Sequence, residues 1–195
     1  MTSVSALENI HTKGLFGDYE NKNETDLLKI SESKNLLIVQ IVQYKNSSIS
    51  IDDVGIDNLK LKNEPLNVIS NNDTRILWSG PKNWLLVSTK KDLLKNILQV
   101  FKDTDFAVTD LSHSRAIIEL EGQNVKEVLK KGSPYNFNLL DKNNSINSTY
   151  NGIAFTVDMI DDNPLKIRLF SLRSFGESLY YSISDSSLEF GYKAI

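Results

Sequence analysis

Residues 75–87 read Arg-Ile-Leu-Trp-Ser-Gly-Pro-Lys-Asn-Trp-Leu-Leu-Val, and this stretch decides the fold class of the chain. It consists of two β-rich runs, residues 75–78 and 84–87, with a Gly-Pro turn between them. That combination predicts a β-hairpin with a longer loop, in which both tryptophans anchor the core. Because a hairpin makes its two strands antiparallel, the sheet that holds it must contain antiparallel pairs.

The segments on either side of this hairpin predict one further strand and two helices. Residues 36–44 are apolar on both faces, as expected of a central strand. A short helix is predicted for residues 54–61, because Asp52 and Asp53 stand where an N-cap would and Pro65 limits the segment. After the hairpin, five apolar side chains share one face of a predicted helix: Leu93, Leu94, Ile97, Leu98 and Phe101.

The second half of the chain repeats this order. Strands are predicted near residues 106–108 and 116–120, followed by a helix with an apolar face that Gly132 terminates. A polar, Asn-rich connection covers residues 141–150. Residues 153–160 and 165–172 then predict a second hairpin, and residues 175–183 a final amphipathic helix. We therefore predict an α+β fold with mixed, mainly antiparallel sheets, helices packed on one face, and two similar β-α-β-β-α halves.

This pattern also predicts the domain organisation. Residues 1–33 are polar, contain two glycines and show no sustained period, so we expect an irregular N-terminal arm. Residues 34–195 are expected to form a single compact domain made of two similar lobes, residues 34–104 and 105–195.

Composition excludes several classes of function. The net charge of −3 gives no basic excess for a phosphate backbone, so nucleic acid is not an expected partner. The chain has no cysteine, which excludes disulfides, thiolate nucleophiles and cysteine zinc sites. No apolar run is long enough to cross a bilayer, and the first thirty residues lack a signal-like apolar segment, so we expect a cytoplasmic protein.

Candidate functional residues cluster in residues 110–115. His113 beside Asp110 could act as a proton shuttle or metal ligand. Alternatively, Asp110 together with Ser112 and Ser114, which bracket His113, caps a tight turn through hydrogen bonds to nearby backbone, or the segment contacts another subunit. We favour this second group of interpretations, because a metal site needs three or more converging ligands and the other histidine, His11, lies in the arm.

Other catalytic arrangements are missing from the sequence. Ser112 and Ser114 lack the G-x-S-x-G elbow that positions a serine nucleophile, and the nine glycines form no phosphate-binding loop. Arg173 precedes the last helix, where Ser174 and Glu177 have the spacing of a capping box. Arg173 could clamp a carboxylate of a neighbouring strand or lie in a subunit interface, and we favour the interface.

Four elements in order resemble the γ subunit of heterotetrameric sarcosine oxidases. They are Leu77 to Val87 with its Gly-Pro-Lys-Asn-Trp-Leu, Val108 to His113 with its Asp-Leu-Ser, Val128 to Pro134 with its Lys-Gly-Ser-Pro, and a C-terminal signature formed by Arg173 to Leu179 with Glu189 to Tyr192. The resemblance covers about residues 36–192. It implies a fold like the folate-binding domain of the glycine-cleavage aminomethyltransferases, whose own Asp-x-Ser-His segment is similar to Asp110 to His113.

This resemblance implies a non-catalytic subunit that binds no cofactor. In such an αβγδ complex, γ packs mainly against α, while the β and δ subunits complete the assembly. FAD, FMN, NAD, zinc and tetrahydrofolate are implied for those partners, and the complex oxidises sarcosine to glycine. The candidate interface residues are Asp110, Ser112, His113, Arg115 and Arg173, together with the N-terminal arm.

Three alternatives depart from this interpretation. A stand-alone folate-dependent aminomethyltransferase-like protein is one, although the full enzymes are much longer. Folate-binding relatives involved in iron–sulfur clusters or tRNA modification are another, but their motif requires a cysteine where this chain has Ser133. A generic interaction module without ligand is the third.

Overall fold

Strands dominate the computed structural model, which describes residues 5–195. The strands are β1 Gly14–Phe16, β2 Leu28–Glu32, β3 Leu37–Gln43, β4 Gly55–Ile56, β5 Leu59–Lys60, β6 Val68–Ser70, β7 Thr74–Gly80, β8 Asn83–Ser88, β9 Phe106–Asp110, β10 Arg115–Glu121, β11 Ser145–Tyr150, β12 Ile153–Asp162, β13 Leu165–Leu172 and β14 Tyr192–Ala194. The helices are α1 Leu93–Val100, α2 Val125–Gly132 and α3 Gly176–Ser187. Short 3₁₀ turns cover Ile51–Asp53, Phe137–Leu139, Arg173–Phe175 and Leu188–Phe190. Within residues 5–195, no helix combines the length and the apolar character that crossing a bilayer requires.

The chain divides into two compact units. Of the described residues, the first unit holds 5–34, 114–142 and 146–195, and the second holds 35–113 and 143–145. Each unit has its own sheet and its own apolar core.

The first unit is built on a seven-stranded sheet in the order β1-β14-β2-β10-β13-β12-β11. The β14–β2 pair is parallel, whereas β1–β14, β2–β10, β10–β13 and β12–β13 are antiparallel. Alternate residues of the central strands, such as Ile118 and Leu169, share a core with Val128 of α2 and Ile183 of α3. Because residues two apart on a strand point to the same face, both helices cover one face of this sheet.

The second unit is built on a five-stranded sheet in the order β6-β7-β8-β3-β9, and its registered pairs are antiparallel. Helix α1 packs through Leu93 and Ile97 on the face that carries Val39 and Leu86. Trp84 is fully buried in this core and its indole N–H donates to the Lys62 carbonyl at 2.7 Å.

These units confirm the predicted α+β class, the mainly antiparallel sheets and the helices on one face. The hairpin of residues 75–87 forms as β7 and β8, but its turn is short, with only Pro81 and Lys82 between the strands. Lys82 takes a φ of +58° there. Trp78 is only partly buried, so Trp84 alone is the core anchor of the hairpin.

The helix predicted for residues 54–61 is wrong. The segment forms the small hairpin β4–β5, which turns at Asp57 and Asn58 with φ of +53° and +63°. Its buried side chains recur every second residue, as in Val54 and Ile56, and that is the period of a strand.

The prediction of an irregular N-terminal arm is also wrong for residues 5–33. Residues 1–4 lie outside the described residues. Strands β1 and β2 join the sheet of the first unit, because β14 pairs with both of them. The boundary between halves differs from residues 104/105 as well, since β9 pairs with β3 and so belongs to the second unit. Finally, the Asn-rich connection contains the strand β11.

Candidate interaction site

The turn after β9 is built by the side chains of Asp110 and Ser112. The Asp110 Oδ1 accepts hydrogen bonds from the backbone N–H of Ser112 at 2.9 Å and from its hydroxyl at 2.5 Å. The Ser112 Oγ in turn accepts from the Ile38 N–H at 3.0 Å, and the Leu111 N–H donates to the Ile38 carbonyl at 2.7 Å. These bonds satisfy the backbone where β9 ends, and they confirm that Asp110 and Ser112 build a turn.

His113 follows in the same turn and is exposed. Within the described residues it makes no hydrogen bond with Asp110, whose bonds go to Ser112. The acid–base pair that would let His113 shuttle a proton is therefore not formed in this conformation. An exposed imidazole at a turn is, however, well placed to contact another protein chain.

Arg115 opens β10 in the first unit, opposite Leu172 of β13. Its Nη1 lies 3.4 Å from the Ser114 carbonyl and 3.3 Å from the Ser114 Oγ. Partial burial lowers the pKa of the Arg115 guanidinium, because desolvation disfavours its charge. No carboxylate of the described residues pairs with it. Arg115 is thus a partly desolvated cation that a partner carboxylate could pair with.

Arg173 begins the 3₁₀ turn before α3, where its backbone N–H donates to the Ser114 carbonyl at 2.9 Å. It lines a cleft of about 580 Å³ with Ser5, Ala6, Ser174 and Glu177. The predicted capping box is wrong: Phe175, not Ser174, is the N-cap residue of α3, and no side chain caps the helix.

Sequence reasoning missed apolar surface in both units. In the first unit Leu172 and Phe175, which flank Arg173, are 47% and 48% exposed. In the second unit Leu98 of α1 is 57% exposed. Leu98 borders a groove of about 580 Å³ between α1 and β9, which is lined by Leu98, Gln99, Phe101, Lys102, Asp103, Phe106 and Val108. The only sequence signal was the number of apolar residues in α1, which is larger than the number that its buried face contains.

The five predicted interface residues fall in both units. Asp110, Ser112 and His113 belong to the second unit, and Arg115 and Arg173 to the first. Within residues 5–195, no three His, Asp or Glu side chains come together as metal ligands.

His11 does not lie in an irregular arm. Its Nδ1 lies 2.9 Å from the Tyr180 hydroxyl and its Nε2 lies 2.9 Å from the Ile195 backbone oxygen. The ring also meets the Tyr180 ring edge-on, at 5.4 Å between centroids. His11 therefore ties the start of the described chain to α3 and to the residue after β14.

A comparison with protein families matches residues 56–189 to the Sarcosine oxidase, gamma subunit family. This chain belongs to that family. The matched region extends from β4 into the 3₁₀ turn that follows α3, and it includes the turn at Asp110 and the segment around Arg173. No curated protein matches the sequence significantly.

Solved structures show the fold of this gamma-family chain. It matches a chain of the heterotetrameric sarcosine oxidase from Corynebacterium sp. U-96 in complex with pyrrole 2-carboxylate, with a TM-score of 0.77 and 19% identity over 96% of this chain and 95% of that one. It also matches the glycine cleavage system aminomethyltransferase T from Bartonella henselae, with a TM-score of 0.54 and 10% identity. That match covers 80% of this chain but only 45% of the aminomethyltransferase. The expected likeness to the aminomethyltransferase fold is confirmed.

Proposed function

We propose that this chain is the non-catalytic gamma subunit of a heterotetrameric sarcosine oxidase. It stabilises and positions the alpha and beta flavoenzyme subunits, which oxidatively demethylate sarcosine to glycine with formaldehyde or 5,10-methylene-tetrahydrofolate and hydrogen peroxide. The observation that carries this proposal is the family match over residues 56–189, together with a common fold along 95% of a chain from a heterotetrameric sarcosine oxidase.

The site geometry supports a role in assembly rather than in chemistry. Asp110 and Ser112 form hydrogen bonds with each other that build a turn, while His113 next to them is exposed. Arg115 is partly buried, and among the described residues its guanidinium hydrogen-bonds to Ser114. We assign Asp110, Ser112, His113, Arg115 and Arg173 to the subunit interface, with alpha as the main partner and beta and delta completing the complex.

The cofactors of such a complex are assigned to its other subunits. FAD, FMN, NAD, zinc and tetrahydrofolate would be held by the partners of this chain. The complex as a whole is an oxidoreductase that works in the cytoplasm.

Co-expression tests the proposal. Tagged gamma chain is produced with the alpha, beta and delta subunits, captured, and assayed for bound flavin and for sarcosine-dependent formation of hydrogen peroxide. We expect one copy of each subunit with flavin absorbance and turnover, and no turnover by the gamma chain alone. A gamma chain that elutes alone, or one that oxidises sarcosine unaided, would overturn the proposal.

The stand-alone aminomethyltransferase is not favoured, because this chain spans less than half of that enzyme at 10% identity. Titration with tetrahydrofolate separates the two functions. The gamma subunit is expected to show no tight binding on its own, whereas a free-standing transferase requires it.

A further inference from the structure

Strand β9 lies at the edge of the second unit's sheet, with β3 as its neighbour. The Leu111 N–H donates to the Ile38 carbonyl at 2.7 Å, and the Tyr44 N–H donates to the Asp105 carbonyl at 2.9 Å. Odd-numbered residues of this segment therefore direct their backbone groups to β3. Since such groups alternate along an antiparallel strand, the even-numbered residues direct theirs to the open edge.

The open edge offers backbone donors and acceptors in strand register. Phe106 uses its N–H in a 2.9 Å bond to the Lys102 carbonyl. The Phe106 carbonyl, both backbone groups of Val108 and the Asp110 N–H have no hydrogen-bond partner among the described residues. These groups recur every second residue, about 6.8 Å apart, and an extended chain running alongside presents its own groups at the same interval.

An apolar groove accompanies this edge. The Phe106 ring is buried and Val108 is partly buried on the face covered by α1, and Leu98 of α1 stands 57% exposed beside them. The groove has a volume of about 580 Å³. A strand added next to β9 would point every second side chain to this face, so an apolar residue opposite Val108 would cover Leu98.

We propose that the β9 edge and this groove bind an extended segment of one of the larger oxidase subunits, which adds a sixth strand to the sheet of the second unit. The inference rests on the proposed function, and it defines the chemistry of the partner. That segment has a free backbone edge and an apolar side chain opposite Val108. Backbone hydrogen bonds would supply the affinity, and the groove would supply the selectivity.

A second copy of this chain fits the same edge less well. Two β9 strands paired antiparallel about Val108 would place Asp110 of each copy opposite Phe106 of the other. Both side chains would point to the same face, so the Asp110 carboxylate would lie against an apolar, buried ring. Burying a carboxylate without a cationic partner is costly, which favours a segment of different sequence.

The first test compares Val108→Pro with Val108→Thr in the complete complex. Proline removes the N–H that points to the open edge, whereas threonine keeps it and has nearly the same shape. Because this N–H bonds to nothing in the described chain, the proline removes no bond of the β3–β9 pair. We expect at least a tenfold loss of affinity for the alpha, beta and delta subunits with proline and less than a twofold change with threonine.

A second pair of variants does not depend on backbone tolerance. Leu98→Asp places a carboxylate in the groove, and Asn96→Asp places the same charge at an exposed position of the same helix. We expect Leu98→Asp to weaken assembly at least tenfold and Asn96→Asp to leave it unchanged. In the wild-type complex, amide hydrogen exchange at Val108 and Asp110 should slow at least tenfold relative to the free chain.

Each outcome decides one claim. If the wild-type chain does not bind the oxidase subunits, the proposed function and this inference both fail. If the wild-type chain binds, and Val108→Pro and Leu98→Asp bind as tightly as the wild type does, the inference fails and the proposed function stands. A free chain that dimerises, and loses that dimer with Leu98→Asp but not with Asn96→Asp, would make a second copy the occupant and overturn the proposal. If Val108→Pro does not fold, the Leu98 and Asn96 pair decides.

Discussion

Replacing Asp57 should destabilise the second unit, because this carboxylate joins the β4–β5 hairpin to β7 and to the residues after β8. Its side chain is 14% exposed and accepts hydrogen bonds from the Thr74 hydroxyl at 2.6 Å, from the Asn71 amide at 3.1 Å and from the Lys90 ammonium at 3.0 Å. Asp57 also has a φ of +53°, which asparagine tolerates as well as aspartate does. Asp57→Asn therefore removes the charge with little change in backbone strain.

The expected cost follows from these three bonds. A hydrogen bond to a charged group contributes about 1.5–3 kcal/mol and one between neutral groups about 0.5–1.5 kcal/mol. The ion pair with the partly exposed Lys90 adds little to this, because solvent screens it. With allowance for solvent around Lys90, we expect Asp57→Asn to lower the free energy of unfolding by about 2 kcal/mol, or the melting temperature by about 4–8 °C. Asp73→Asn, at a more exposed carboxylate on the same lysine, should cost about 0.5 kcal/mol or less.

The pH dependence of this stability difference tests whether the charge of Asp57 causes it. The hydrogen bond from Thr74 is the main cause that holds the pKa of Asp57 below its usual value; burial opposes it, and bonds from Lys90 and Asn71 add to it. A carboxylate with a lowered pKa stabilises the fold above its unfolded-state pKa of about 4, and the stabilisation is lost as the pH falls through the folded value. The difference between wild type and Asp57→Asn should therefore shrink below about pH 4.

Tryptophan fluorescence during urea unfolding is a suitable assay, because both tryptophans lie in the second unit. The reasoning would be refuted if Asp57→Asn and Asp73→Asn cost the same at pH 7. It would also be refuted if the penalty for Asp57→Asn stayed constant down to pH 3, since an uncharged role for the side chain would then explain it.

Three further predictions concern the first unit. Gly132→Ala should lower stability by about 2 kcal/mol in chemical denaturation, because the added Cβ would lie 2.6 Å from the buried Tyr150 ring; an unchanged midpoint would contradict this contact. Burial raises the pKa of Glu119, but Arg168 and its other partners outweigh it and hold the value low. Arg168→Leu should then cost about 3 kcal/mol at pH 7 and less below about pH 4, and a penalty independent of pH would count against the ion pair. Burial raises the pKa of Tyr180 to about 12. In an ultraviolet titration, Tyr180→Phe should therefore match the wild-type signal at about pH 11, and a smaller signal would show that Tyr180 ionises early.

The elements that sequence predicted well carry a strong local period. Helix α1 forms where its apolar residues recur at helical spacing, and β7 and β8 form on both sides of the Gly-Pro turn. Strand β1 has only three residues and β2 has five, so neither shows a lasting period. Both become strands because β14, more than 150 residues away, pairs with them, and a local pattern contains no such information.

The hairpin β4–β5 is a different case, because its signal was present in the sequence. Val54 and Ile56 on one side of the turn, like Leu59 and Leu61 on the other, are spaced by two. Aspartate and asparagine at positions 57 and 58 accept positive φ more readily than most residues. Asp52 and Asp53 led to the wrong prediction, because acidic residues are typical of the first turn of a helix. In the structure they belong to a 3₁₀ turn of only three residues, and no α-helix follows it.

The candidate site was only partly predictable for a physical reason. Side chains such as Asp110 and Ser112 predict a turn, because they form hydrogen bonds with residues close to them in the chain. The open edge of β9 depends instead on which strands pair, and its donors and acceptors belong to the backbone, which is the same for every sequence. The charged residues that sequence reasoning singles out, such as Arg115, are therefore expected to tune assembly through single ion pairs. The strand edge and the groove beside Leu98 are expected to supply most of its affinity, because several backbone bonds and one apolar contact form together there. Arg115→Gln should thus weaken binding to the oxidase subunits less than Leu98→Asp does, and the reverse order in matched titrations would place the main contact in the first unit.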